Sequence, residues 1–391
     1  MSYNEGVTKV GIKYLGDCLQ TNTTLLKLDI MQLCDGIIPA ISYCLSTNHA
    51  IQQTSISGAA YISVENEHNI DIGLDILLVT IESNKSLQKV SIRCADVFDN
   101  EAIAISSCLY NNIVLQHFEL LDCKMVDVKV RKDIRFSWKT ASKICRFAHS
   151  MHSEKDLQKM LLEFVRYYEH YINKFEDFTT VHRMSKIINA VKVNRTLKTL
   201  IIIHCGIGDA RAAVISDCIT HNTTITQLDL SWNLITSKGA VDLFKTIQFN
   251  TTIQKLDVSH NEICSKLCND GIIAISDCLK DNTTLHDLCV TTPDISDQAS
   301  QHLASALREN LSLHTLSFHQ YHRQLFSFDM IILSAIYYNK TLMKMTLPYP
   351  CLSFDFCVVQ NEVERINMKR RRQEIDTLNV HFTLSGKLSP Q

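Results

Sequence analysis

NTTITQLDLSWNLI, residues 222–235, opens on an asparagine followed by Ile225, Leu228 and Leu230 at offsets +3, +6 and +8. Ten asparagines head this pattern: Asn22, Asn48, Asn84, Asn112, Asn194, Asn222, Asn250, Asn282, Asn310 and Asn339. Of the thirty positions at +3, +6 and +8, only Thr54 is not apolar. Five of the nine steps between anchors are 28 or 29 residues. A unit of that length cannot bury its own apolar face, so it must stack on its neighbours, and a solenoid is predicted. Offsets +6 and +8 are two residues apart and therefore point to one side of a strand.

The segment before each asparagine has helical spacing instead. All twenty residues at offsets -3 and -7 are aliphatic, from Leu15 and Leu19 to Ile332 and Ile336. Offset -4 holds a small residue, which is cysteine in five copies: Cys18, Cys44, Cys108, Cys218 and Cys278. These positions form one stripe of a helix. The asparagine is expected to end that helix in the left-handed conformation, which it tolerates better than most residues. Helix, corner and strand then repeat in one direction, so the strands must run parallel with the helices on the opposite wall. The fold class is α/β. Each repeat buries five or six aliphatic side chains, at roughly 1.5–3 kcal/mol each before conformational entropy is counted.

Beyond the strand, offset +11 holds Cys123, Cys205, Asn233 and Asn261, and offset +13 holds Met125, Ile207, Ile235, Ile263 and Ile295. With these residues LDLSWNLI (228–235) and LDVSHNEI (256–263) resemble leucine-rich repeats of pattern LxxLxLxx(N/C)xL. The period resembles that of the ribonuclease-inhibitor subtype. The resemblance implies a leucine-rich repeat solenoid, a horseshoe with parallel strands on the concave face and helices on the convex face. It also implies that the Asn or Cys at +11 is buried and pairs backbone groups in the turn. Leu33, Ala59, Ala95, Pro293, Tyr321 and Pro350 hold that position in other copies, and looser turns are expected there.

Four regions follow from the spacing. Repeats occupy 1–123 and 181–347, with an insertion or degenerate repeats at 124–180 and a capping segment at 348–391. The interval from Asn112 to Asn194 is 82 residues, and its first part carries eight basic residues against two acidic ones. It is expected to pack on the solenoid, or else to bind a partner through Lys129, Arg131, Lys132, Arg135 and Trp138. Residues 154–175 have the pattern of an amphipathic helix. In the cap Arg372 takes the anchor place, and KRRR (369–372) is expected to be solvated surface.

Composition limits the functional classes. The 391 residues are 46% apolar and carry a net charge of -2, which gives no overall pull toward nucleic acid. The chain lacks 18 consecutive apolar residues, and MSYNEGVTKVGIKYLGDC at its start has no basic-then-apolar leader pattern, so neither membrane insertion nor export is expected. Fifteen cysteines, an odd count, fit reduced thiols and a cytoplasmic location. Eight of the ten anchors also read N-x-S/T, but their phase lock to the repeat points to a backbone role rather than glycosylation.

Gly-rich phosphate loops, HExxH, GxSxG and paired CxxC are missing from the sequence. No catalytic residue, cofactor or metal is therefore assigned, and a small-molecule substrate is not expected. His286 and His314 share offset +4 and should lie about 5 Å apart on neighbouring strands. With His319 and His322 they give the one alternative, a metal or pH-sensitive site. Cys264 and Cys268 beside His260 lack familiar zinc spacing.

The expected activity is non-catalytic recognition of a protein by the concave face. Its candidate residues are Gln227, Asp229, Ser231, Trp232, Lys255, Asp257, Ser259, His286 and His314. The nearest resemblance is to the repeat regions of NACHT-type innate-immune receptors, although no Walker sequence accompanies it here. Two alternatives come with the same family. One is a small-GTPase regulator similar to Ran GTPase-activating proteins, whose tails are acidic where this one has KRRR. The other is a ribonuclease-inhibitor-like protein, which would favour an acidic wall where this one is mixed.

Overall fold

A computed structural model describes residues 9–30, 37–57, 74–93, 96–97, 99–125, 178–263, 269–291, 296–319, 335 and 338–346. The chain divides into two compact units, Met1–Ile225 and Thr226–Gln391.

In the first unit helices α1 (Lys9–Thr21), α2 (Ile37–Thr47), α3 (Leu74–Ser83), α4 (Asp99–Asn111), α5 (Phe178–Val193) and α6 (Asp209–His221) pack each on the next. Strands β1 (Lys27–Ile30), β2 (Gln53–Ser57), β3 (Lys89–Arg93), β5 (His117–Leu121) and β7 (Thr199–Ile203) pair in that order, all parallel. A short parallel pair, β4 (Asp96–Val97) with β6 (Lys124–Met125), lies beyond the strand exits. The register brings offset +6 into one row, Leu28, Thr54, Val90, Phe118 and Leu200.

The second unit repeats the plan. Helices α7 (Ser237–Phe249), α8 (Asp270–Asp281) and α9 (Asp297–Glu309) pack in series. Strands β8 (Gln227–Asp229), β9 (Lys255–Asp257), β10 (Asp287–Thr291), β11 (Thr315–His319) and β12 (Lys344–Thr346) are parallel, and +6 forms the row Leu228, Leu256, Leu288, Leu316 and Met345. This is the α/β solenoid plan of helices and parallel strands expected from the spacing, in the leucine-rich repeat form that the resemblance implies. Among the described residues no helix is long and apolar enough to cross a membrane.

The stripes read from the sequence form the core. Every described side chain at -3, -7, +3, +6 and +8 is buried except Leu15 and Leu25, which are half-buried. Cys44, Cys108, Cys218 and Cys278 fill the small -4 position as buried free thiols, whereas Cys18 is exposed. Burial pushes the thiols of Cys108, Cys218 and Cys278 up to about 12, so they pack as small hydrophobes. Thr54, the polar exception in the +6 row, is also buried, and its Oγ1 has no hydrogen-bond partner.

The anchor asparagines do not adopt the left-handed conformation expected of them. Asn222 has φ -80° and ψ 129°, and Asn250, Asn282 and Asn310 are similarly extended. In this extended conformation the side chain performs two tasks. At Asn112, Oδ1 accepts from the backbone N–H groups of Val114 and Leu115 at 2.9 and 2.8 Å, holding the corner. Nδ2 donates to the carbonyls of Ile81 and Asn84 at 2.8 and 3.1 Å. Those carbonyls belong to the helix end of the preceding repeat, where acceptors lack helical partners and the Ile81 carbonyl also accepts from the Asn84 N–H at 3.1 Å. Asn48, Asn222, Asn282, Asn310 and Asn339 make the same pair of backward bonds. The sequon asparagines Asn84, Asn194, Asn222, Asn282, Asn310 and Asn339 are buried with Nδ2 so engaged, which leaves no amide for a glycan in the folded state.

The left-handed residue sits ten positions later, at Asp122, His204, Trp232 and His260 (φ 54° to 58°). It turns the chain out of the strand just before the +11 residue. Cys123 and Cys205 are buried there, and their thiols point at carbonyls of Ile92 and Leu120. Asn261 donates through Nδ2 to the carbonyls of Leu230 and Val258 at 2.8 and 3.0 Å, and its Oδ1 accepts from the N–H of Ile235 at 3.0 Å. These bonds fit the role that the resemblance implied. The six turns expected to be looser, the basic stretch with Lys129 to Trp138, the helix at 154–175, Cys264, Cys268 and the 348–391 cap lie outside the described residues.

Candidate functional site on the strand face

Parallel pairing sets alternate strand residues side by side on the face away from the helices. In the first unit Lys89 of β3 and Glu119 of β5 form an ion pair there, with Glu119 buried. Burial, helped by the Lys89 charge, pushes His117 below its ordinary range. At the strand exits the left-handed residues meet, with His204 Nδ1 2.5 Å from Asp122 Oδ1.

The second unit carries the residues predicted from the sequence. Gln227, Asp229, Asp257, His286 and His314 are half-buried, and Lys255 is exposed. Asp229 and Asp257 are register partners on β8 and β9. Lys255 Nζ reaches Asp287 on β10 at 3.0 Å. Burial works to raise the Asp287 carboxyl, but hydrogen bonds from Lys255 and Thr315, with the Lys255 charge, outweigh it and hold the group below its ordinary value. Cys289, half-buried at offset +7, is pushed up to about 12 by burial, with Asp257 adding to the effect. It is not a thiolate nucleophile near neutral pH.

Two predicted residues do not face solvent. Ser231 and Ser259 are only 5% and 3% exposed. Each lies in the turn, where its N–H donates to the carboxylate two residues earlier, Asp229 Oδ1 at 2.9 Å and Asp257 Oδ1 at 2.8 Å. They are candidates that the structure buries, because the backbone leaves the strand at Asp229 and Asp257, two residues earlier.

Trp232 is 51% exposed. Its indole stacks on the His260 imidazole with centroids 3.8 Å apart and planes 10° from parallel. The N–H of Trp232 donates to the Ser259 carbonyl at 3.0 Å, and that of His260 to Thr291 Oγ1, so both turns are fixed. His260 was considered in the sequence only beside Cys264. A signal existed for a special turn: Asp and His, which hold three of the four left-handed places, tolerate that conformation better than most residues.

The His286 and His314 rings also stack, with centroids 4.9 Å apart and planes 7° from parallel. His286 Nδ1 is bonded to the Thr284 carbonyl. Among the described residues no group of three or more His, Cys, Asp or Glu could hold a metal ion. His322 and the side chain of His319 fall outside them.

The family model described as Leucine Rich repeat matches residues 193–210, 221–244 and 249–265. No curated protein matches the chain. Among the solved structures that align with part of this chain are the following two. Leiomodin-1 Actin-Binding Site 2 aligns at 17% identity and TM-score 0.23, over 53% of this chain and 84% of that one. The tropomodulin C-terminal domain of Caenorhabditis elegans aligns at 12% identity and TM-score 0.24, over 50% and 80%. Likeness that distant carries no argument about a partner. The matched stretches cover the Asn194, Asn222 and Asn250 corners and the strands β7, β8 and β9 that follow them, so these three units carry the sequence pattern of leucine-rich repeats.

Proposed function

We propose that the chain is a non-catalytic scaffold that grips a protein partner with the strand face of its repeats. The observation that carries this reading is the exposed Trp232 platform beside a row of polar side chains, on a wall whose opposite side is the sealed core. Aromatic groups held rigid among polar neighbours are typical anchors of protein interfaces. Burial holds the half-buried Cys289 thiol on this face well above its ordinary value. The buried free cysteines fit a reducing compartment, and we place the protein in the cytoplasm on that ground.

Chemical cross-linking and capture from cell extract tests the reading, with a Trp232→Ala/Lys255→Glu double variant set against Lys245→Glu on the outer side of α7. A protein captured by the wild type and by Lys245→Glu but lost from the strand-face variant is the expected result. Equal capture by all three would overturn it. The partner's class then separates the finer readings: a small GTPase for a Ran-type regulator, a ribonuclease for an inhibitor, and a microbial or self ligand for a receptor's sensing region.

A further inference from the structure

LDLSWN and LDVSHN place the same three elements in successive repeats: a carboxylate, a turn serine and an aromatic ring. The fold makes one surface of them. Leu230 N–H donates to the Asp257 carbonyl at 2.8 Å and Trp232 N–H to the Ser259 carbonyl at 3.0 Å, so the two turns are laced together and the rings stack without freedom to splay. Each carboxylate bonds the N–H of the turn serine, which draws it toward the strand exit where the rings lie. Among the described residues of β8, β9 and β10 the one lysine is Lys255, and its Nζ reaches Asp287 at 3.0 Å.

Resting on the strand-face reading, we propose that this surface seats an arginine side chain from an extended basic segment of the partner. A guanidinium is flat and always charged, and it carries five N–H donors in a fixed fork. It can lie against an exposed indole while its edge bonds a carboxylate, and here Ser259 links the two, its carbonyl accepting from the Trp232 N–H and its N–H donating to the Asp257 carboxylate. Lysine offers a point charge without a flat face, so it uses the carboxylates but gains less from the ring. An acidic segment is repelled by both aspartates.

The chain has two tryptophans, so Trp138→Phe leaves Trp232 as the sole indole reporter. The full-length variant is titrated with blocked Ala-Arg-Arg-Ala, Ala-Lys-Lys-Ala and Ala-Glu-Glu-Ala, following emission. The arginine peptide is expected to give a saturable change, weaker in high salt. The lysine peptide should bind several-fold more weakly and the glutamate peptide should have no effect. Asp257→Asn keeps an oxygen for the Ser259 N–H while removing the charge, and should weaken the arginine peptide about tenfold. Equal response to lysine, an unaltered Asp257→Asn titration, or no saturation up to about 10 mM would overturn the proposal. If it fails while the strand-face double variant still loses its captured protein, the arginine assignment falls and the scaffold reading stands.

Discussion

One asparagine side chain closes four backbone groups at the corner of Asn112. Two are the N–H groups that start its own strand, and two are carbonyls of the repeat before it. The Leu115 N–H and the two carbonyls are in buried bonds and the Val114 N–H is half-buried, and an unmet buried group costs about 1–3 kcal/mol. Asn112→Ala should therefore lower stability by roughly 3 kcal/mol or more. Asn112→Asp should not restore it, because a carboxylate keeps the two accepted bonds but turns an anion toward two carbonyls. Urea unfolding of the three proteins checks this. A loss below about 0.5 kcal/mol, within the range of an ordinary surface change, would show that the corner does not need the side chain. The sequence made this residue conspicuous and hid what it does. Local propensity suggested a left-handed helix stop. The actual role spans two repeats, and a donor aimed 28 or 31 residues back leaves no trace in local preference.

Helices and strands are legible because each is defined by a periodic apolar stripe, and among the described residues these stripes line the core. The turns between strand and next helix are less so. Their conformation is set by close approach of backbone to backbone, which no side-chain pattern records. Gly271, at the start of α8, shows the difference. A Cβ there would meet the Ile263 carbonyl oxygen at 2.3 Å and Ile263 Cγ2 at 2.8 Å. Helix propensity alone says that alanine should stabilise this position by as much as about 1 kcal/mol. The contact says the reverse, since the turn carrying Ile263 and the buried Asn261 must shift to make room. Gly271→Ala is expected to destabilise by about 1–3 kcal/mol, read as a lower urea midpoint at unchanged slope. A raised midpoint would mean that the helix start stands farther from the turn than described. The burial of Ser231 and Ser259 and the Trp232–His260 stack are hidden from the sequence for the same reason: both depend on where the chain leaves the strand.

At the scale of the molecule, stability is a chain of neighbours. Each repeat buries its stripe against the next, so damage should spread a limited distance along the stack and then stop. Leu256 is the place to test this. It is buried in the +6 row between Leu228 and Leu288, and those three side chains hold β8, β9 and β10 in one layer. Leu256→Asp puts a carboxylate there with no partner, a change of the kind that costs about 4 kcal/mol or more. Hydrogen exchange read along the sequence should show protection lost in β8, β9, β10, α7 and α8, while β2 and β3 of the first unit exchange as in the wild type. Under a single all-or-none core, every strand would lose protection together, and that result would end the nearest-neighbour description. Unchanged exchange throughout would instead remove Leu256 from the core. The predicted pattern is graded with distance from residue 256, because the aspartate strips packing from two interfaces and leaves the asparagine corners and apolar stripes of more remote repeats intact.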